Sequence, residues 1–335
     1  MTRTTSTALA LLLALVGVGW SAAPSHADTE WSVGPATAAG PDQRISLRHV
    51  VDPGASVQDH VAVTNLGSEA ATFTVVAGDG LLGDNGAFDI APGEPVDSGD
   101  WITIDGLAAD GTVAVAAGET RVLPVTVTVP ADAVPGDHPA GIAVALSAGG
   151  DDLTVTHRVG VRLHLQVAGE IEPALTVDVT ETDYRSSWIP FGPGTLTVRY
   201  EIENTGNTRV GAGTRVEAAG LLGVGGSEEL VTVDELLPGD TTTGVVELDA
   251  WPVMVLSGKV ETAGLVVGED QITAPGATTA DFRSPAIPWT GLLLVALVVA
   301  AVVWRRRGAA PAEAPAVEAE PEKVLTGEGS PPAAR

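Results

Sequence analysis

Outside its carboxylates, the sequence has few residues suited to acid–base catalysis or metal binding. The histidines are His26, His49, His60, His138, His157 and His164. None of them belongs to an HExxH pair or another ligand-spaced cluster, and the chain has no cysteine for thiol catalysis or metal thiolates. A Gly-x-Ser-x-Gly nucleophile elbow and a phosphate-binding glycine loop are also missing. These patterns predict a protein that is not an enzyme and uses neither a cofactor nor a metal.

One acidic loop is a candidate for weak calcium binding. Asp79, Asp84, Asn85 and Asp89 lie close together in the sequence, and calcium prefers carboxylate and amide oxygens. Their spacing differs from that of an EF-hand, in which the ligands alternate and a glutamate closes the loop. A plain hairpin turn at Asn85-Gly86 is the alternative interpretation.

Tryptophan is the residue type best suited to stacking on sugar rings or anchoring a protein partner. The candidate binding residues are Trp31, Trp101 and Trp188. Trp188 lies in a connection rich in proline and glycine, which predicts an exposed side chain. Burial in a sandwich core is the alternative for Trp31 and Trp101.

The balance of charge argues against a nucleic-acid partner. The chain of 335 residues carries 43 Asp and Glu against 17 Lys and Arg, a formal net charge of −26. Phosphate binding needs clustered basic side chains, and this chain would be repelled. The length is sufficient for about two domains, each with its own core.

Two apolar segments predict the topology in the membrane. The first, within residues 1–27, has the small residues of a cleavage site at its end and is predicted to be a signal peptide. The second, residues 287–304, has Trp289 and Trp304 near its ends and is followed by Arg305-Arg306-Arg307, as expected for a transmembrane helix with a stop-transfer cluster. The sequence therefore predicts a single-pass protein of the cell membrane, with its N-terminal bulk extracytoplasmic and a disordered cytoplasmic tail at 305–335.

Between these segments the apolar residues alternate with polar ones, which is typical of strands with one buried face. The runs lie within residues 125–129, 153–165, 175–179 and 196–202, and turn signals such as Asn85-Gly86 and Asp110-Gly111 separate runs of this kind. The pattern predicts an all-β protein: two consecutive Ig-like antiparallel β-sandwich domains, then one transmembrane helix.

An internal repeat suggests where the two sandwiches divide. Asn65-Leu66-Gly67 and Asn204-Thr205-Gly206 end similar strands, and Gly118-Glu119-Thr120 and Gly239-Asp240-Thr241 open similar strands later in each half. Chance matching is the alternative in a chain with 40 glycines and 23 prolines. The repeat favours one domain over residues 28–170 and a related one over 171–285.

Segments of the first predicted domain resemble a known family. They are Trp31-Ser32-Val33-Gly34-Pro35, Pro41-Asp42-Gln43, Pro53-Gly54, Asn65, Val129-Pro130 and Pro135-Gly136-Asp137-His138-Pro139-Ala140-Gly141-Ile142. They resemble the peptidoglycan-binding domain of the WxL-interacting proteins, membrane-anchored cell-surface proteins of Gram-positive bacteria that are similar in overall plan. Ala140-Gly141 departs from that family, which often has paired glycines there, and over residues 172–285 only the architecture is similar.

The resemblance implies a non-enzymatic cell-envelope scaffold or adhesion protein. Its expected partners are cell-wall peptidoglycan or another envelope polymer, and other exported surface proteins. It implies that Trp31 serves wall binding, and we expect Trp188 to serve a protein partner. The alternative is an extracytoplasmic chaperone-like module that lends a strand edge to an exported client. A glycosidase pair among the 38 carboxylates of residues 28–286 is a third interpretation.

Overall fold

A computed structural model of the chain describes residues 30–83, 85–150, 153–220, 223–268 and 272–308. Within these residues the chain forms two β-sandwiches in succession and then one helix. The predicted fold class is therefore confirmed. The predicted signal peptide at 1–27 lies outside the described residues.

The first sandwich is built from two sheets. Its strands are β1 (Trp31–Thr37), β2 (Gly40–Pro41), β3 (Leu47–Val51), β4 (Ser56–Asn65), β5 (Ala71–Leu82), β6 (Phe88–Ile90), β7 (Ile102–Ile104), β8 (Thr112–Val115), β9 (Thr120–Thr128), β10 (Gly136–Asp137), β11 (Ala140–Gly150) and β12 (Leu153–Val167). One sheet has the order β2-β1-β4-β9-β7. The other has the order β10-β12-β11-β5-β6, with β3 also paired to β12 and β8 to β5.

The apolar faces of these two sheets meet in one core. The alternating residues predicted to face inward do so: Val125, Val127, Leu163 and Leu165 are all buried there, together with Phe73. Strands rich in valine and threonine suit such a half-buried pleated surface. At the start of the chain β1 pairs with β4 in one sheet, whereas β3 pairs in parallel with β12 in the other.

The second sandwich is also built from two sheets. Its strands are β13 (Leu175–Arg185), β14 (Gly194–Asn204), β15 (Val210–Ala219), β16 (Ser227–Leu236), β17 (Thr241–Ala250), β18 (Met254–Leu265) and β19 (Thr278–Ala286). The sheet orders are β13-β14-β17 and β16-β15-β18-β19. Tyr200 is fully buried at the centre of the core, and Gly244 faces it on β17, where a Cβ would lie 2.2 Å from the ring.

The internal repeat corresponds to one recurring corner. Asn65 and Asn204 are both fully buried, and each side-chain amide donates to two backbone carbonyls while its oxygen accepts from the glycine two residues on. The backbone N–H of each asparagine donates to the carbonyl of Glu119 or Asp240, respectively. The two sandwiches therefore close this corner in the same way, because a buried amide must satisfy all its hydrogen-bonding groups.

The second sandwich leads directly into a helix, α1 (Trp289–Gly308). It is the one helix in the described part of the chain that is long and apolar enough to cross a membrane. The helix begins two residues later than the predicted span and continues through Arg305–Arg307. The helical segment thus extends four residues past the predicted end of the span at residue 304. Residues 309–335 lie outside the described residues.

Candidate functional site

The long strand β12 has one edge that is open for most of its length. One edge is paired with β11 from Leu153 to Leu163. On the opposite edge β3 pairs only with residues 163–167. No described strand forms a ladder with that edge between Leu153 and Arg162, and β1, which lies beside it, is hydrogen-bonded to β4 in the other sheet. We call residues 153–162 the free edge of β12.

The direction of the backbone groups along this edge follows from two hydrogen bonds. The carbonyl of Leu165 accepts from His138 on the β10 and β11 side, at 2.8 Å, whereas the N–H of Ala168 donates to Val51 on the β3 side, at 2.9 Å. Because these groups alternate along a strand, the even-numbered residues point towards the open side. They are Thr154, Thr156, Arg158, Gly160 and Arg162. Each offers one N–H and one C=O.

The side chains near the free edge leave the backbone accessible. Val161 is buried in the core, but Val159, on the same face, is 45% exposed. A Cβ added to Gly160 would meet only the carbonyl oxygen of Ile142, at 3.8 Å. Arg158 pairs with Asp89 on β6, so its charge lies over the face of the sheet.

The free edge ends where β3 covers β12, and a polar cluster holds β3 in place. The carboxylate of Asp59 accepts from Arg44 Nη1 at 2.7 Å and Nη2 at 2.9 Å, and it contacts His49 Nε2 on β3 at 2.8 Å. Arg44 also donates to the carbonyl of Ala36 at the end of β1. Burial raises the pKa of Asp59, but the hydrogen bonds from Arg44, the His60 N–H and His49 outweigh it and lower that pKa to about 2.

Next to β3, residues 162–166 of β12 line a cleft between the two sandwiches. The cleft has a volume of about 380 Å³ and is lined by residues of both sandwiches. Arg162 donates to both carboxylate oxygens of Glu235 and lies 4.3 Å from the centre of the Phe88 ring. The buried Arg209 also approaches Glu235, at 3.4 Å, and contacts His164. With Arg48, three arginines line a cleft in an otherwise acidic protein.

Direct hydrogen bonds across this cleft fix the two sandwiches together. Asp137 on β10 accepts from the Thr208 hydroxyl and the Arg209 N–H, both at 2.8 Å. Its own N–H donates to the Asn207 carbonyl at 2.7 Å. A Cβ at Gly136 would lie 2.3 Å from that carbonyl oxygen, and the φ of Gly136 is +134°, so the close approach requires glycine.

One histidine near the cleft has a shifted pKa. His138 contacts the Asp97 carboxylate through Nδ1 and the Val134 carbonyl through Nε2, both at 2.8 Å. Burial lowers the pKa of this ring, but these two hydrogen bonds outweigh burial and raise that pKa above the ordinary 6.5. The ring packs against Trp101 in a tilted arrangement, with the ring centres 4.9 Å apart.

The three candidate tryptophans lie in different places. Trp31 packs on Phe73 with ring centres 5.2 Å apart, and both Trp31 and Trp101 are partly buried against the first core. Trp188, in contrast, is 93% exposed and lies next to the start of α1. The structure therefore does not bring the candidate tryptophans together into one binding surface.

The described candidate calcium residues each have another partner. Asp79 accepts from the backbone N–H groups of Val96, Asp97 and Gly99, at 2.7–3.2 Å, and Asp89 pairs with Arg158. Asn85 accepts from the N–H of Ala87 within the hairpin turn, and Asp84 lies outside the described residues.

The described residues contain no group of three or more His, Asp or Glu side chains that could hold a metal ion. Asp79 instead orders the loop 96–99, in which the Ser98 hydroxyl donates to the Pro139 carbonyl. Acidic residues clustered in the sequence do not distinguish this structural role from metal binding.

The sequence alone predicts neither the free edge nor the cleft. Alternation predicts the strand from residue 153 to residue 165, but it does not predict which neighbours the strand has. The cleft had one usable signal, because Arg162, which lines it, follows Arg158 on one strand of an acidic chain.

Comparison with protein-family models gives no match, and neither does comparison with curated proteins. Solved structures similar to the chain include one from the chaperone–tip adhesin complex of CFA/I fimbriae, at 10% identity and a TM-score of 0.39, covering 77% of this chain and 99% of that one. The class 5 fimbrial chaperone CfaA is 10% identical, with a TM-score of 0.37 and coverage of 77% and 100%. A structure of the CsuC–CsuE complex of Acinetobacter baumannii is 13% identical, with a TM-score of 0.33, and the match covers 75% of this chain and 98% of that one. At these values the likeness is one of general β-sandwich architecture.

Proposed function

We propose that this is a non-enzymatic, membrane-anchored envelope protein that binds an extended segment of another exported protein along the free edge of β12. The observation that carries the proposal is the row of outward backbone groups at five consecutive even-numbered positions, 154 to 162. Pairing of an extended peptide with an open sheet edge is a recurring mode of recognition. The role is that of a chaperone-like module or of a receptor for a surface partner.

The free edge lacks the usual protection of an edge strand. Proteins commonly guard such edges with proline, a bulge, inward charges or very short strands. The free edge contains no proline, its register with β11 is continuous over all ten residues, and Arg158 and Arg162 are paired with Asp89 and Glu235. An accessible edge of this length favours a function in pairing.

Side-chain specificity has a source in the same strand. In strand addition the main chain provides affinity, and alternate side chains provide specificity. Val159 is half exposed at the margin of the core, so an apolar residue of the bound segment can pack beside it. The cleft with its three arginines lies at the end of the same strand.

Binding of peptidoglycan by the first sandwich, which the family resemblance implies, stays a separate prediction. Trp31 and Trp101 are partly buried, and no aromatic residue is among the exposed large apolar side chains in the described part of that sandwich. Sugar stacking there lacks an exposed ring. Retention of the full chain by purified cell wall tests this prediction independently.

We also propose that both sandwiches are extracytoplasmic. The arginines at 305–307 end the apolar helix, and basic residues next to a span face the cytoplasm. Protease added to intact cells should therefore degrade the sandwiches and spare an epitope placed after Arg307. Cleavage of the epitope while the sandwiches remain intact would contradict this topology.

Cysteine cross-linking tests the proposed partner site, because the natural chain has no cysteine. Val159→Cys places a thiol at the free edge. Val76→Cys is a matched control, since Val76 is 48% exposed and Val159 45%, but Val76 lies on β5. In intact cells a short thiol-reactive photo-cross-linker at position 159 should give a discrete adduct with an exported protein. Equal adducts from both positions, or none from 159, would contradict the proposal.

A further inference from the structure

The end of the second sandwich next to α1 is apolar and exposed. It consists of the connections 186–193, 223–226, 251–253 and 287–288 together with Met254 at the start of β18, which we call the helix-side end. The register pairs Gly194 with Ala250 and Met254 with Ala286, so three of these connections lie at one end of the sandwich. The connection 223–226 belongs to it because Ala219 pairs with Ser257. The large exposed apolar residues there are Trp188, Ile189, Phe191, Val224, Trp251 and Met254.

The helix-side end also carries no charge. Its four connections contain no Asp, Glu, Lys or Arg, although residues 28–286 contain 38 acidic and 11 basic residues. The connections 205–209 and 237–240, at the opposite end of the same sandwich, each contain a charged residue. Large contiguous apolar surfaces on soluble domains mark sites of interaction.

The connection 186–193 is joined directly to the first turn of α1. The Thr290 hydroxyl donates to the Ser187 carbonyl at 2.9 Å, and the Ser186 hydroxyl donates to the Ile287 carbonyl at 2.7 Å. A Cβ at Gly291 would lie 2.6 Å from the Phe191 ring. The exposed residues 188–191 therefore lie at the same level as the start of the helix.

The length of α1 gives the depth of this level in a bilayer. From Trp289 to Trp304 the helix rises about 22 Å at 1.5 Å per residue, whereas the hydrocarbon core is about 30 Å thick. A helix that spans this core must hold Trp289 at the interface or below it, and short spans draw their flanking groups towards the headgroups. The neighbouring residues 188–191 are then at the same depth.

Backbone strain is concentrated at the same place. Phe191 and Met254 have φ values of 59° and 73°, and they are the non-glycine residues with positive φ in the described part of the chain. Such conformations are unfavourable for non-glycine residues and cluster at functional sites. Both side chains are exposed.

From these observations we infer that the helix-side end is a second membrane contact, which inserts Trp188, Ile189 and Phe191 into the outer lipid interface beside α1. Aromatic residues are favoured at that interface, and an uncharged surface avoids the cost of desolvating ions there. The second sandwich is then held against the bilayer. This inference requires that α1 spans the membrane and is independent of the free edge of β12.

Fluorescence quenching of the full chain in phosphatidylcholine nanodiscs tests the inference. Ile189→Cys and Val134→Cys are labelled singly with an environment-sensitive fluorophore, because their parent residues are similarly exposed, at 68% and 67%. The label at 189 should be quenched by lipid-borne nitroxide and protected severalfold from aqueous iodide. The label at 134, in the first sandwich, should behave oppositely.

Two further variants separate the possible outcomes. Val298→Cys reports whether α1 is in the bilayer, since lipid nitroxide should quench a label there in any case. Trp188→Glu should abolish lipid quenching of a label at Met254→Cys, because a carboxylate is costly in the interface. Iodide quenching at 189 equal to that at 134, with 298 quenched by lipid, would overturn the inference. Protection at 189 without lipid quenching would show that protein rather than lipid covers this residue and would also overturn the inference.

Discussion

Asp59 holds the strand that limits the free edge, and we expect Asp59→Asn to destabilise the first sandwich by about 2 kcal/mol at neutral pH. The pKa of this carboxyl falls from an ordinary 3.8 to about 2, and a pKa difference of one corresponds to about 1.4 kcal/mol. Its side chain is 10% exposed, so solvent screening removes little of this contribution. The amide keeps the shape of the carboxylate but not its charge.

The effect of Asp59→Asn should depend on pH in a defined direction. Because the pKa is lower in the folded chain than its ordinary value, the contribution is complete above about pH 4 and is lost as the pH falls through about 2. The difference in unfolding free energy between the natural chain and the variant should therefore shrink between these values. Protonation of Asp59 removes the charge that the substitution removes.

This difference can be measured by unfolding the full chain with urea in detergent micelles. Hydrogen exchange in peptides from β3 and β4 monitors the unfolding, so that the first sandwich is measured alone. Asp42→Asn is the control, since Asp42 also pairs with Arg44 but is more exposed, at 21% against 10% for Asp59, and it should have a smaller effect. An unchanged stability in Asp59→Asn at pH 7, or a difference that persists to pH 2, would refute the reasoning.

Three other changes have expected outcomes. Gly160→Pro should weaken binding of the partner identified by cross-linking at least about tenfold, as measured by titrating the full chain with that partner. The substitution removes one outward N–H worth about 1 kcal/mol and leaves a carbonyl of the partner unpaired. Gly160→Ala is the control and should bind normally. Glu235→Gln should cost about 3 kcal/mol, because two arginines at the cleft lose their carboxylate, and faster hydrogen exchange at residues 207–209 would report it. The His138 contribution to stability is present below about pH 6.5 and is lost as the pH rises through the raised pKa. Melting curves at pH 6 and 9 should show this loss, and Asp97→Asn should remove it.

Local pattern was sufficient to predict the strands. The alternation at 125–129, 153–165, 175–179 and 196–202 falls on β9, β12, β13 and β14, with Val129 just beyond the end of β9. The repeated Asn-x-Gly segments fall on equivalent buried corners. These features were predictable because period-two burial and buried amides depend on residues that are close in sequence.

Long-range pairing was not predictable in the same way. The state of the β12 edge depends on where β3, more than one hundred residues earlier, joins the sheet, and no local pattern encodes that register. Asp79 and Asp89 are neighbours in sequence, yet one caps a loop at 96–99 and the other pairs with Arg158. Trp31 was a candidate for sugar binding because the sequence alone does not show that its ring packs against Phe73.

The charge of the exported part bears on which segment pairs with the free edge. Residues 28–286 carry 38 acidic and 11 basic side chains, so two copies of the chain repel each other, and edge-to-edge pairing between copies is opposed. The same field attracts a basic segment. Raising the salt concentration screens both effects over a distance of about 10 Å. We therefore expect added salt to weaken partner binding, as measured by titration of the full chain with the partner. We also expect it to increase self-association of the chain, as measured by analytical ultracentrifugation. Salt-strengthened partner binding would instead indicate an acidic segment held by hydrogen bonds alone.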